Sequence, residues 1–174
     1  GLCSSHAGNL SVRSAVDRLT ITRTGAMLGR LHPGDLITTG LATDDDQTPL
    51  ASSELAAHRA IYQRLPVAAV VHAHPAAAVA LSLHVDAIEP VNSEGRQFLP
   101  RVPVLTPRHP AGSAALAADI AECLATQGAG RIMLVQGHGC FAAGATLEEA
   151  LQWTSCLEEA CKILLHTLAL RNVR

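Results

Sequence analysis

The stretch AAVVHAHPAAAVA, residues 68–80, joins an apolar run to two histidines and a proline. The run VAAVVHAH (67–74) is typical of a buried strand, and PAAAVALSL (75–83) is typical of a short helix that follows it. In a strand, side chains at i and i+2 face the same side, with Cα atoms roughly 6.6 Å apart. His72 and His74 can therefore converge on one ion at the end of this strand.

A third histidine has a similar position in LVQGHGC (134–140), after the apolar run RIMLVQ (131–136). Gly137 and Gly139 flank it and allow the backbone to turn, which can bring His138 close to the first pair. Three neutral imidazoles suit zinc, and a catalytic zinc keeps its fourth position for water or substrate. The pattern favours a metal site, with Cys140 either as a further ligand or, preferably, as a small buried residue.

Two other three-histidine metal folds fit this stretch less well. A metallo-β-lactamase-like hydrolase needs an aspartate at position 76, which is alanine, and a cupin needs an all-β chain, whereas this one has at least three helical patterns. A lone histidine among apolar residues is usually an ordinary core or surface residue. We assign that role to His6, His32, His84, His109 and His166.

Glu54 stands at the start of the helical pattern SSELAAHRAIYQRL (52–65), which leads into the histidine strand. Ser52 and Ser53 suit the N-cap, and an acid in the first turn is stabilised by the helix dipole. Glu54 can reach the metal only if the sheet brings the helix start and the strand end together.

Strand and helix patterns alternate along the rest of the chain. RVPVLT (101–106) predicts a strand, GSAALAADIAECLATQ (112–127) a helix ended by Gly128, and TLEEALQWTSCLEEACKILLHTLAL (146–170) a long amphipathic helix with Thr146 and Glu149 as a capping box. Short strands are expected in 21–25, 31–40 and 42–51. The prediction is a single α/β domain over residues 1–174, with helices packed against a sheet.

Composition narrows the function classes. A net charge of −2, a pI near 6.5 and 2% aromatic residues argue against a nucleic-acid partner. No apolar run approaches the roughly 18 residues of a membrane span, so no membrane partner is expected. Five cysteines without a C-x-x-C pair indicate reduced thiols, and no export signal is visible, so a cytoplasmic location is predicted.

Four segments resemble the class II aldolase and adducin-head family. They are SSHAGNLSVR (4–13), ITRTG (21–25), SSELAAHRAIYQRLPVAAVVHAHPAAAVALS (52–82) and GHGCFAAGATLEEAL (137–151), in family order. The resemblance implies a three-layer α-β-α fold with a mixed, largely antiparallel central sheet.

By position, the resemblance implies that His72, His74 and His138 hold one divalent metal, usually zinc. Glu54 matches a glutamate that works as acid and base and ligates the metal when substrate is absent. The positions that bind the substrate's phosphate correspond to Asn9, Thr24, Gly25, Ser52 and Ser53. Backbone N–H groups at a helix start, hydroxyls and an amide can bind phosphate without a lysine.

The implied activity is cleavage of a sugar phosphate or related keto-phosphate to dihydroxyacetone phosphate, or a relative, and an aldehyde, through a zinc-stabilised enediolate. The only lysine, Lys162, is remote in sequence from every motif, which disfavours Schiff-base chemistry. Epimerase, dehydratase and decarboxylase activities of the same family stay open. A non-catalytic, adducin-like scaffold is less favoured because the three histidines and Glu54 are all present.

Two departures from the family pattern accompany the resemblance. The helix that usually precedes the G-N-L-S motif is absent, which indicates a chain lacking its N-terminal helix. The segment 84–102 has no tyrosine, although one family enzyme lends a tyrosine from this segment to a neighbouring subunit. A homo-oligomer, by analogy a tetramer, is expected.

Overall fold

The computed structural model describes residues 1–127 and 131–171, and within these ranges eight strands form one sheet. The strand order is β3-β2-β1-β4-β8-β7-β6-β5, and every neighbouring pair is antiparallel except β6 and β7. The strands are β1 (Asn9–Arg13), β2 (Arg18–Thr22), β3 (Leu36–Gly40), β4 (Ala69–Ala73), β5 (Ala87–Ile88), β6 (Val102–Leu105), β7 (Ile132–Val135) and β8 (Gly139–Gly144).

Five α-helices in the described part of the chain cover the two faces of this sheet. They are α1 (Leu55–Arg64), α2 (Ala76–Ser82), α3 (Ser93–Phe98), α4 (Ala114–Thr126) and α5 (Leu147–Arg171). Helices α1 and α4 pack together over one face, and α2, α3 and α5 cover the other. The predicted three-layer α-β-α fold with a mixed, largely antiparallel sheet is confirmed.

The central strands explain why two separate cores form. Because side chains alternate along a strand, Val70 and Met133 face the α1–α4 layer, whereas Val71 and Leu134 face the α5 layer. These strands are buried on both faces, which is why their sequences read as continuous apolar runs. The sequence pattern therefore located β4 and β7 within two or three residues of their observed ends.

Other elements differ from the expectation. Residues 42–51 form no strand but a bend and a 3₁₀ turn at Thr48–Leu50, because the Asp45 carboxylate accepts hydrogen bonds from local N–H and hydroxyl groups. Strands β1, β5 and β8 and helix α3 were not predicted. Helix α4 ends at Thr126, and the predicted helix stop at Gly128 lies outside the described residues.

The long helix α5 begins after Thr146 as expected. The backbone N–H of Glu149 donates to the Thr146 hydroxyl, and the Glu149 carboxylate accepts from the N–H of Ala145, one residue before the usual partner of a capping box. Among the described residues, no helix combines the length and apolarity that a membrane crossing requires.

Candidate metal centre

Three adjacent strands at the middle of the sheet bring the predicted site residues together. Asn9 of β1 lies opposite His72 of β4, and His72 in turn lies opposite Phe141 of β8. His138 occupies the tight turn between β7 and β8, so it lies beside the end of β4. The sheet register therefore places residues from distant parts of the chain around one point.

Two glycines make this turn possible, as the sequence predicted. Gly137 adopts a φ of +68°, which side chains other than glycine rarely tolerate. A Cβ atom on Gly139 would overlap the carbonyl oxygen of Ala73 and press on the ring of His74. Close approach of β8 to β4, and hence of His138 to His74, depends on the missing side chain at 139.

The three imidazoles form a compact cluster. One ring nitrogen from each of His72, His74 and His138 lies within 4.8 Å of the other two, and the Nε2 atoms of His72 and His74 are 2.8 Å apart. The ring centroids are separated by 4.7–4.9 Å. Electron-rich nitrogens that face one another at such distances suit a shared cation, so the cluster can hold a metal ion.

The His72 ring is fixed on both sides. Its Nδ1 lies 2.9 Å from the carbonyl oxygen of Cys140, which can only accept, so Nδ1 carries the donated proton. The ring stacks on Phe141 with centroids 4.2 Å apart and an interplanar angle of 23°. With Nδ1 engaged by this carbonyl, Nε2 points into the cluster, which is the orientation of histidines that bind metals.

Glu54 reaches this cluster from the start of α1. Its Oε2 lies 2.8 Å from His72 Nε2, and its Oε1 lies 3.6 Å from His138 Nε2. The helix begins at Leu55 with Glu54 itself at the N-cap position, so the expected serine N-cap is wrong. Instead, the Ser52 hydroxyl accepts a hydrogen bond from the Glu54 N–H at 3.3 Å.

The protonation states suit a cation site. Burial would raise the pKa of Glu54, but hydrogen bonds and charge from His72, the Asn9 amide and His138 outweigh it and lower that pKa to about 2. Burial, together with the neighbouring histidines, lowers the pKa of His74 to about 4 and also lowers the pKa of His138. An ionised Glu54 carboxylate and uncharged rings of His74 and His138 are donors of the kind that divalent metals require.

All nine predicted site residues line one cavity of about 310 Å³. The cavity also receives side chains that sequence reasoning did not place there, namely His6 and Arg23, and the backbone of Gly112 before α4. The predicted ligands and phosphate-binding positions in its wall are His72, His74, His138, Glu54, Asn9, Thr24, Gly25, Ser52 and Ser53.

The predicted phosphate-binding positions differ in what they can offer. Thr24 donates its hydroxyl proton to the carbonyl of Ala51 at 2.8 Å, so this side chain is already engaged. Gly25 has a φ of +74° and open space where a side chain would stand, and Ser53 is exposed at the helix start. Asn9 is buried, and its amide donates to Glu54 Oε2 at 3.2 Å.

One buried histidine next to the site was not singled out from the sequence. His58 is fully buried on α1, one helical turn after Glu54, and its Nε2 lies 2.6 Å from Asn9 Oδ1. The i, i+4 spacing from Glu54 could have indicated that both side chains lie on one helix face. Cys140, by contrast, is buried in the core on the α5 side and contributes no ligand atom to the cluster.

Comparison with known proteins decides the family. The model of the class II aldolase and adducin N-terminal domain matches residues 1–165. The chain belongs to the class II aldolase and adducin family.

Members of this family with several activities are similar to the chain. A methylthioribulose-1-phosphate dehydratase from Acidiphilium cryptum is 34% identical, covering 91% of this chain and 79% of the relative. A 3-oxo-tetronate 4-phosphate decarboxylase from Escherichia coli K12 is 32% identical, covering 94% and 78%. The crystal structure of L-fuculose-1-phosphate aldolase from Thermus thermophilus superposes with a TM-score of 0.91 at 37% identity, covering 100% and 89%. The chain is thus an enzyme-family member whose similar relatives act on phosphorylated substrates.

The single lysine lies away from the histidine cluster. Lys162 lies on α5 with a half-exposed side chain, and its Nζ pairs with Glu158 at 3.3 Å. It does not line the cavity of the histidine cluster. This position agrees with the prediction that Schiff-base chemistry is disfavoured.

Proposed function

We propose that the chain is a metal-dependent, class II aldolase that cleaves a sugar phosphate or related keto-phosphate into dihydroxyacetone phosphate, or a close relative, and an aldehyde. One observation carries the proposal. The Glu54 carboxylate touches a cluster of three imidazoles inside a cavity that is also lined by a helix start and hydroxyl groups. A general base next to a cation site suits removal of a proton beside a carbonyl.

The proposed cofactor is one zinc ion per subunit, held by His72, His74 and His138, with Glu54 as a further ligand when substrate is absent. When bound, such an ion supplies Lewis-acid polarisation of a substrate carbonyl and neutralises the enediolate charge. The histidines contribute neutral nitrogen donors at fixed positions, and the Cys140 carbonyl holds the His72 ring in the required tautomer.

Glu54 is the proposed proton carrier. Its lowered pKa keeps the carboxylate ionised at neutral pH, which is the form that can accept a proton. In the direction of carbon–carbon bond formation, a Glu54 oxygen takes a proton from the carbon next to the carbonyl of dihydroxyacetone phosphate. In cleavage it returns that proton to the same carbon.

The phosphate is proposed to bind at the start of α1, where N–H groups point outward and the helix dipole favours an anion. Ser53 and the backbone of Gly25 supply accessible donors, while Ser52, Thr24 and Asn9 shape the wall behind them. A homo-oligomer, by family analogy a tetramer, is proposed as the working assembly.

The second candidate is a dehydratase of a methylthioribulose-phosphate type substrate, favoured by the 34% identity to such an enzyme. It would use the same proton removal by Glu54 and lose hydroxide instead of cleaving a carbon–carbon bond. In an epimerase or a decarboxylase the enediolate would form by cleavage of a carbon–carbon bond, so these activities would share the enediolate and not the proton removal.

The test offers dihydroxyacetone phosphate to the zinc-loaded protein in heavy water and follows deuterium incorporation. We expect metal-dependent exchange that falls by about 10²–10⁴-fold in Glu54→Gln, the usual contribution of a general base. Glu159→Gln, an exposed carboxylate on α5, is the matched control and should exchange like the wild type. Equal exchange in Glu54→Gln and wild type would remove Glu54 from this role.

A substrate panel then separates the reactions. Aldehyde release supports the aldolase, water loss the dehydratase, a new epimer the epimerase, and carbon dioxide the decarboxylase. Methylthioribulose phosphate turned over with water loss, with no aldehyde from any keto-phosphate, would replace the proposed activity by the second candidate.

A further inference from the structure

A chain of buried polar groups leads from the Glu54 carboxylate into the core between β1 and α1. Asn9 and Ser11 lie on the same face of β1, and His58 and Tyr62 lie one turn apart on α1. His58 Nε2 lies 2.6 Å from Asn9 Oδ1, His58 Nδ1 lies 2.6 Å from Ser11 Oγ, and Ser11 Oγ lies 2.8 Å from the Tyr62 hydroxyl. The network joins two elements far apart in sequence.

The donor and acceptor of each hydrogen bond in this network can be deduced by starting from the Glu54 carboxylate. An ionised carboxylate only accepts, so Asn9 must turn its NH₂ group toward Glu54 and its carbonyl oxygen toward His58. That oxygen only accepts, so His58 carries its proton on Nε2 and has a bare Nδ1. Ser11 then donates to Nδ1, and Tyr62 donates to Ser11.

We propose that His58 is a positioning residue that fixes the Asn9 amide so that its NH₂ group faces Glu54. The inference rests on the proposed role of Glu54 as the proton carrier. An amide does not pass protons along a chain as hydroxyls and imidazoles do, so the network holds Glu54 in place and does not conduct its proton.

The surroundings of His58 leave the ring little freedom. It has no exposed surface, and it lies in a T-shaped contact with the ring of Phe141, with centroids 6.2 Å apart and an interplanar angle of 72°. Phe141 also stacks on His72. One aromatic ring thus touches both the positioning histidine and a histidine of the metal cluster.

The outer end of the network is also fixed. Arg13 donates from Nη2 to the Tyr62 carbonyl at 2.6 Å and lies 5.3 Å from the centre of the Tyr62 ring. The Tyr62 side chain is also buried, so packing and the Arg13 contact hold its hydroxyl beside Ser11. Each member of the chain from Tyr62 to Glu54 makes at least one hydrogen bond to the next member, as a rigid buried network requires.

The alternative orientation of the Asn9 amide would require the other tautomer of His58. Turning the amide over would set its carbonyl oxygen against the Glu54 carboxylate, two acceptors without a proton between them. It would also require His58 to accept at Nε2 and to carry its proton on Nδ1. The tautomer of His58 therefore reports which way Asn9 points.

The first experiment measures that tautomer in the full chain, with and without added zinc, by long-range ¹H–¹⁵N correlation of ¹⁵N-labelled histidine rings. The His58 signals are identified by their loss in His58→Gln. We expect a neutral ring with the proton on Nε2. A proton on Nδ1, or on both nitrogens, would overturn the inference, and this result does not depend on any enzymatic activity.

The second experiment compares deuterium exchange of dihydroxyacetone phosphate in two variants. His58→Leu removes the donor to Asn9, and exchange should fall about 10–100-fold, with the loss in kcat and little change in KM, as for outer contacts of a catalytic group. His58→Gln retains an N–H donor and should recover most of the rate. Equal losses in both variants would indicate a packing role only and would contradict the proposal.

Ser11→Ala is a second variant that can be used if the His58→Leu chain fails to fold. It removes a single buried hydroxyl and keeps the packing. Without the Ser11 hydroxyl, His58 Nδ1 has no donor. Deuterium exchange should therefore fall, while the circular dichroism spectrum and the zinc affinity stay those of the wild type. Wild-type exchange in a folded Ser11→Ala protein would count against the network. Absence of exchange in the wild type would contradict the proposed aldolase and leave the tautomer measurement to decide the placement of Asn9.

Discussion

Glu54 Oε2 lies 2.8 Å from His72 Nε2, although one residue begins a helix and the other lies near the end of a buried strand. The contact depends on β1, which pairs with β4 and sets Asn9 directly opposite His72. Glu54 and the histidine cluster are already in contact in the absence of a substrate. No rearrangement of the main chain is therefore needed to bring them together. The proposed metal ligands can be tested directly by substitution.

Removal of one imidazole should abolish tight metal binding. His138→Ala is the preferred change because this side chain is 26% exposed and its loss leaves little empty core. We expect zinc affinity, measured by competition with a chelating dye, to fall more than about 100-fold, beyond the range typical of outer contacts. His84→Ala, an exposed histidine outside the cluster, should bind like the wild type. Unchanged affinity in His138→Ala would exclude this histidine as a ligand.

Metal should also stabilise the fold, because an ion that binds only the folded chain adds its binding free energy to stability. Zinc at 100 times its dissociation constant should raise the free energy of unfolding by about 2.7 kcal/mol. Urea unfolding with zinc and with a chelator measures this difference. The His138→Ala chain should show almost none of it, and an equal gain in that variant would point to a different zinc site.

Acidification should destabilise the protein partly through His58. Burial, above all, with the nearby charge of His72, lowers the His58 pKa to about 3, against the usual 6.5. Between these values the unfolded chain holds the extra proton, so stability falls as pH drops from about 6.5 toward about 3. Unfolding midpoints at about pH 7.5 and about pH 5 should differ less in His58→Gln than in wild type or His84→Gln. An unreduced pH dependence in His58→Gln would contradict the neutral buried state.

Helix α2 should depend on a carboxylate from α5. Glu158 is 3% exposed, and its Oε2 accepts hydrogen bonds from the N–H groups of Ala77 and Ala78 at 3.0 and 3.2 Å. Glu158→Ala should cost about 1–3 kcal/mol for each buried donor left without a partner, measured by urea unfolding.

The neighbouring Glu159 is exposed and provides the matched control for this effect. Glu159→Ala should change stability by less than about 0.5 kcal/mol, as surface substitutions usually do. A loss in Glu159→Ala equal to that in Glu158→Ala would show that helix α2 does not need its buried acceptor.

The sequence located much of this site because its signals are local. His72 and His74 share a strand end, and Gly137 and Gly139 mark the turn that carries His138. The role of His58 could not be read in the same way, since its partners Asn9 and Ser11 come from a strand whose register becomes visible only in the folded sheet. Strand β8 was missed because its sequence, GCFAAG, lacks the β-branched residues that mark strands.

The pairing of β4 with β8 also bears on when a newly made chain could bind the proposed metal. Chains emerge from the ribosome beginning at the N-terminus, so His72 and His74 leave it well before His138. Until the turn between β7 and β8 has been made and has docked beside β4, the nascent chain offers His72, His74 and Glu54 without the third imidazole. Tight binding of a cation by the proposed ligands would therefore wait for His138, and a ribosome-bound chain halted before His138 should hold zinc more weakly than a chain that includes it.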